Sequence, residues 1–135
     1  NVFNNKYCQF KDTLKYLDLS GNQKLVEPKT ESINIFTIFV NEFLMKSNIE
    51  VLKLANLKLL NSTHINILSK WINNNKCSLI SLDLSKKLYN IDIIKSLCNM
   101  INNDTCMLTE LIMAKCKFPI KCAQYFGNNL YNNTS

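Results

Sequence analysis

Apolar residues recur along this chain in one figure, written four times. Leu14, Leu17, Leu19 and Asn22 form the first copy, and Ile49, Leu52, Leu54 and Leu57 the second. Leu79, Leu82, Leu84 and Lys87 form the third, and Leu108, Leu111, Met113 and Cys116 the fourth. Each reads L-x-x-L-x-L-x-x-(N/C). The L-x-L core alternates apolar with variable residues, as a short half-buried strand does, so strands are expected near 15–19, 50–54, 80–84 and 109–113. Between copies the apolar residues return every three or four positions. Phe36, Phe39/Val40 and Phe43/Leu44 do so first, then Ile65, Leu68 and Trp71/Ile72, then Ile94, Leu97 and Ile101. That spacing is the inner stripe of an amphipathic helix and predicts helices near 31–47, 62–75, 91–103 and 119–132. Residues suited to N-capping precede the first three: Thr30 or Ser32, Asn61 or Ser62, and Asn90. Pro119 suits a first helical turn, and Ala123, Phe126 and Leu130 supply the fourth stripe. Upstream, Phe3, Tyr7 and Phe10 read as the end of an earlier helix.

The copies begin at 14, 49, 79 and 108, at spacings of 35, 30 and 29. Across the last two units Asn61 maps to Asn90, Ile65 to Ile94, Leu68 to Leu97, Ile72 to Ile101 and Cys77 to Cys106. The longer first spacing places an insertion at Gln23 to Ser32, where Pro28 interrupts regular structure. Each unit is thus strand, loop, helix, loop. One unit alone cannot bury its helix stripe, whereas stacked units share a continuous leucine core. The expectation is one domain over 1–135 of about four repeats. A parallel sheet lines one face and helices the other, and the bulkier helices bend the stack with the strands inside. Neither end carries a polar cap, so further repeats or subunits are expected against both ends.

These motifs resemble the ribonuclease-inhibitor-like subfamily of leucine-rich repeats, whose units of about 29 residues hold a full α-helix. The resemblance covers roughly residues 3–132 and is specific for fold. It implies an α/β, right-handed leucine-rich-repeat solenoid, or horseshoe, with a parallel β-sheet on the concave face and α-helices on the convex face. It also implies a macromolecular partner held on the curved surface or its rim. The chain departs from the subfamily in two ways. The glycine often found in the loop before the helix is missing in all complete units, and Leu57 and Lys87 occupy the usual Asn/Cys position. The loops at those two residues are expected to be looser.

Charge and cysteine content narrow the function. The net charge is +6, and all 16 basic residues are lysines. Without a guanidinium, forked contacts to guanine or phosphate are lost, which weighs against nucleic acid. No apolar run is long enough to span a membrane; Ile33 to Met45 is interrupted by Asn34, Asn41 and Glu42. None of the six cysteines forms C-x-x-C, so zinc-ligand spacing is absent. They read as reduced thiols, which implies an intracellular protein, cytoplasmic or nuclear. Cys77 and Cys106 hold equivalent places, either as a bridged pair or as two free thiols. No Gly-rich phosphate loop exists, no cofactor is implied, and His64 has no catalytic company, reading as an exposed structural histidine. Trp71 and Cys98 read as core.

Two sets of candidate binding residues follow from the alternation. Residues flanking the leucines point away from the helices: Tyr16 and Asp18, Val51 and Lys53, Ser81 and Asp83, Glu110 and Ile112, with Ser20, Ala55, Ser85 and Ala114 beyond them. The column Asp18, Lys53, Asp83, Ile112 alternates in charge and predicts a ladder of exposed ion pairs, worth at most about 1 kcal/mol each. The other reading of this face is a solvated surface. The second set is a basic rim: Lys24, Lys58, Lys86, Lys87, Lys115 and Lys117. It suits an acidic protein, phosphates or an anionic membrane surface, or it is a solvated edge of a lysine-rich chain. The expected function is a non-enzymatic protein–protein interaction scaffold. The alternatives are a target-selecting region of a GTPase-activating or ubiquitin-ligase complex, and an architectural subunit of a large assembly.

Overall fold

The computed structural model describes residues 13–27 and 32–131. Strands and helices alternate: β1 (Tyr16–Asp18), α1 (Ser32–Ile38), β2 (Val51–Lys53), α2 (Ser62–Ile72), β3 (Ser81–Asp83), α3 (Ile91–Ile101), β4 (Glu110–Ile112) and α4 (Ile120–Tyr131). The four strands form one parallel sheet in the order β1-β2-β3-β4. The molecule is therefore α/β. The register repeats without slippage: Leu17, Leu52, Leu82 and Leu111 pair in one row, and Asp18, Lys53, Asp83 and Ile112 in the next. The helix upstream of β1, the Thr30 cap and the end of the fourth helix at 132 lie outside the described residues.

The strands are short, but their hydrogen-bond ladder runs on into the following loops. Leu19 and Gly21 donate to the Lys53 and Ala55 carbonyls, Leu54 and Asn56 to Asp83 and Ser85, and Leu84 and Lys86 to Ile112 and Ala114. These bonds satisfy loop backbone that would otherwise stay unpaired. Leu52, Leu54, Leu82 and Leu84 then point inward and are fully covered, with Ile65, Leu68, Ile94 and Leu97 of the helices opposite.

The first unit's extra residues lie between β1 and α1. The first described residue of α1 lies as far from β2 as the starts of α2 and α3 lie from β3 and β4: Ser32 to Val51, Ser62 to Ser81 and Ile91 to Glu110. Of the insertion expected at Gln23 to Ser32, the described part contains a 3-10 turn at Gln23–Leu25, while residues 28–31, Pro28 among them, lie outside the described residues. The first helical segment then departs from expectation. It changes to a π-helical turn at Phe39–Phe43 and ends in a 3-10 turn at Leu44–Lys46. Phe36, Val40 and Leu44 are all fully buried along it.

Both interior helices start at the expected asparagines. The Asn90 side chain accepts from Ile93 N at 2.9 Å, and Asn61 Oδ1 accepts from Thr63 N at 2.9 Å. His64 closes a reciprocal bond, its Nδ1 accepting from Asn61 N at 3.0 Å. This overturns the expectation of an exposed histidine, since His64 is 1 % exposed. Its ring meets Phe36 edge-on at 4.9 Å, and it takes the place a Glu or Gln holds in a usual capping box. Because Nδ1 accepts, the ring proton sits on Nε2, which is buried without a partner among the described residues. Burial pushes the imidazole below its ordinary pKa, and the nearby Lys87 charge adds to the effect.

Candidate functional site

The strand face away from the helices carries the first set of candidates. Tyr16 is half exposed, Asp18 and Glu110 are exposed, and Val51, Lys53, Asp83 and Ile112 are partly covered. Ser81 is not a surface residue: it is 6 % exposed, and its hydroxyl donates to Glu110 Oε1 at 2.6 Å. A small side chain between two longer ones in adjacent strands is shaded by them.

The ladder of ion pairs is absent: among the described residues no ion pair links Lys53 to Asp18 or Asp83. Local hydrogen bonding outcompetes it. Asp18 Oδ1 accepts from Ser20 N and Asp83 Oδ1 from Ser85 N, each at 2.9 Å. Aspartate bonding the backbone two residues on is a preferred local turn geometry. The bond from Ser20 holds the Asp18 carboxyl below its usual range. Lys53 instead lies over the Tyr16 ring, 5.2 Å from its centroid, and the adjacent Tyr16 side chain raises its pKa above the usual lysine value. Ser20 and Ser85 also bond within the molecule. Their hydroxyls accept from Ala55 N at 3.0 Å and from Ala114 N at 2.8 Å. A sequence signal for both turns exists in the tetrapeptide Leu-Asp-Leu-Ser, which occurs at 17–20 and again at 82–85.

The second set gathers more tightly than a rim implies. Lys58, Lys86, Lys87, Lys115 and Lys117 line one cavity of about 510 Å³, with Asn56 and Leu88 completing its wall. Lys24 lies apart, in a separate recess with Leu19, Asn22, Leu25 and Ile35. No acidic residue lines the five-lysine cavity, and among the described residues none of its lysines is in an ion pair.

Lys87 corrects the expectation in two respects. It is 8 % exposed rather than a solvated rim residue. Its loop is also not loose, because the ammonium donates to the Leu57 and Lys58 carbonyls, each at 3.2 Å. On the opposite side Gln23 Nε2 donates to Asn56 O at 2.6 Å, and Lys58 N donates to Gln23 Oε1 at 3.0 Å. The segment Asn56 to Lys58 is therefore held by side chains from both neighbouring units. Leu57, which has no polar group to bond its own loop, is buried in the core. A buried ammonium without a carboxylate is costly, and burial pushes the Lys87 pKa down.

Backbone conformation is unusual at three of the lining residues, Asn56, Lys86 and Lys115. Gly21, Asn56, Lys86 and Lys115 all have positive φ, at 78°, 55°, 58° and 56°. They stand at the same place, three residues beyond each strand. Glycine and asparagine occupy that conformation readily, whereas a longer L-residue is strained by about 1–2 kcal/mol. Gly21 and Asn56 were the readable signal that their lysine counterparts share this turn.

Other chemistry is sparse. Cys77, Cys98, Cys106, Cys116 and Cys122 are free thiols, so Cys77 and Cys106 are not bridged. Burial pushes the Cys77 thiol up, and the neighbouring Cys106 adds to this. Trp71, Cys98 and Cys122 are buried. No cluster of three or more His, Cys, Asp or Glu side chains able to hold a metal occurs among the described residues. No described helix is long and apolar enough to cross a membrane. No protein-family model matches the chain, and no curated protein matches it.

Proposed function

We propose that the chain is a stretch of a right-handed, ribonuclease-inhibitor-like leucine-rich-repeat solenoid, and that it acts as a non-enzymatic scaffold for a protein partner. The observation that carries this reading is the row-by-row register of the parallel strands. It keeps the strand leucines Leu17, Leu52, Leu82 and Leu111 on one side and leaves Tyr16, Asp18, Val51, Lys53, Asp83, Glu110 and Ile112 on the other as a single surface. Such a face offers an aromatic anchor, both signs of charge and an aliphatic patch, the mixture that protein interfaces use. In this reading the protein works inside the cell, in cytoplasm or nucleus, and further units pack against its ends. The β4 end supports that last point: Leu108, Leu111, Met113, Ile101 and Phe126 line an open cavity of about 280 Å³.

Site-specific photo-cross-linking tests the scaffold in cells. A cross-linker at Asp83 or Ile112 should capture one dominant protein. The same group at Asn66 or Asn99, exposed on α2 and α3, should not capture it. Charge-reversing Asp83→Lys with Lys53→Glu should abolish capture. Equal capture from strand and helix positions rules the strand face out as the partner surface.

A further inference from the structure

We propose that the five-lysine cavity is a binding site for a compact anion carrying two or more phosphate groups. The inference is independent of the strand-face reading. The cavity, at about 510 Å³, falls within the size of small-molecule sites, roughly 300–1,000 Å³. Lys58, Lys86, Lys115 and Lys117 bring exposed ammonium groups to its wall with no acidic residue among the lining. Like charges gathered without counter-charge repel one another, and a dense anion relieves all of them at once.

Lys87 gives the site a built polar group. Its ammonium has three N–H donors, and two of them go to the Leu57 and Lys58 carbonyls. The third has no acceptor among the described residues, although the side chain is buried and lines the cavity. Lys86 and Lys115 add a second argument. Each holds a strained left-handed conformation at a turn where Gly21 and Asn56 show that easier residues fit. Residues kept in strained geometry cluster at ligand clamps.

The chemistry favours phosphate over carboxylate and peptide. Lysine meets either anion as a point charge, and a phosphate group brings about −1.5 to −2 charges where a carboxylate brings one, so a compact polyphosphate neutralises the clustered ammonium groups more fully. An acidic peptide binding along these loops would seek backbone partners. The loop N–H groups of Asn56, Lys86 and Lys117 are already bonded to Ser85, Ala114 and Lys87 carbonyls. Leu88, 68 % exposed at the cavity wall, offers an apolar contact for the organic part of a phosphate ester.

Titration calorimetry of the full chain with inorganic tripolyphosphate should show one saturable site. Citrate should bind at least about tenfold more weakly, and so should tripolyphosphate to the Lys86→Asn/Lys115→Asn variant, the loss expected when charge-assisted contacts go. Asparagine tolerates the left-handed turn, and an unchanged melting temperature checks that the fold is kept. Lys70→Asn with Lys76→Asn, outside the cavity, should change affinity less than about twofold. Vesicles of phosphatidylcholine, with or without a bisphosphorylated inositol lipid, separate the two sources of such phosphates. Recruitment only to the phosphorylated vesicles assigns a lipid headgroup, and tripolyphosphate binding without recruitment assigns a soluble ligand. Equal weakening by both variant pairs, or polyglutamate binding more tightly than tripolyphosphate, overturns the proposal.

Discussion

The third and fourth units carry the same apolar figure and bury it to different depths. Leu79, Leu82 and Leu84 are 2 %, 0 % and 1 % exposed, while Leu108, Leu111 and Met113 remain partly open. Side-chain chemistry is nearly identical in the two. The neighbours differ: β3 lies between β2 and β4, whereas β4 pairs only with β3 among the described residues. In a stacked array a leucine is covered by its own helix and by the units on both sides, so burial depends on what is stacked beside it. Among the described residues each interior row has a neighbour on both sides and each end row on one.

Truncation of matched leucines tests that difference most strongly. Leu82→Ala should cost about 3–5 kcal/mol, the range for a fully buried leucine, and Leu111→Ala about half as much, read as urea-denaturation free energies. Equal losses would mean that β4 is covered in solution by something further.

The clamp between units comes next. Lys87→Ala leaves the Leu57 and Lys58 carbonyls without their donor and should lower stability by about 1–3 kcal/mol. Its counterpart Cys116→Ala in the fourth unit should cost less. Cys116 Sγ makes only weak contacts of 3.6 Å to the Leu84 and Ala114 carbonyls. A comparable loss at the two sites would show that the clamp contributes nothing beyond packing.

Relief of the strained turn is smaller. Lys86→Gly should be neutral or stabilising by up to about 1 kcal/mol, because glycine accepts positive φ at no steric cost. Gly21→Ala, at the same place in the first unit, should be destabilising. Thermal unfolding of the pair shows whether the turn conformation persists in solution.

The last test is pH. His64 has its folded-state pKa lowered from 6.5 by burial and by Lys87. The unfolded chain therefore binds more protons than the folded one in the window below about pH 6.5, and stability falls as pH drops through it. His64→Gln, which keeps an acceptor for Asn61 N, should flatten this dependence. Lys87→Met should narrow it by removing the nearby charge. A pH profile unchanged by His64→Gln would place the sensitivity elsewhere.

The strands, the interior helices and the position of the insertion were legible because each rests on a local period. Alternation marked Leu52 and Leu54, the three-to-four spacing marked Ile65 and Leu68, and Asn61 and Asn90 announced their helix starts. The candidate face was legible only as a list of outward positions. Ser81 was misplaced because its cover comes from neighbouring strands, and the charge ladder was misjudged because Asp18 and Asp83 bond the turns that follow them. The basic positions were visible as a rim, but not as a cavity. Nothing in the local pattern said that Lys87 would turn inward to clamp another unit's loop, or that Lys24 would stand apart from the rest.

What the sequence determined by itself was the alternation of short strands with helices and the identity of the residues they share as core. Those features follow from periodicity, and periodicity is carried by side chains close together along the chain. The tertiary structure decided the depth of burial at each copy of the motif, the fate of His64 and the gathering of five lysines around one space. Each of these depends on side chains about one unit apart in sequence, brought together only by stacking, and a local pattern carries no information about which neighbour will supply the missing partner.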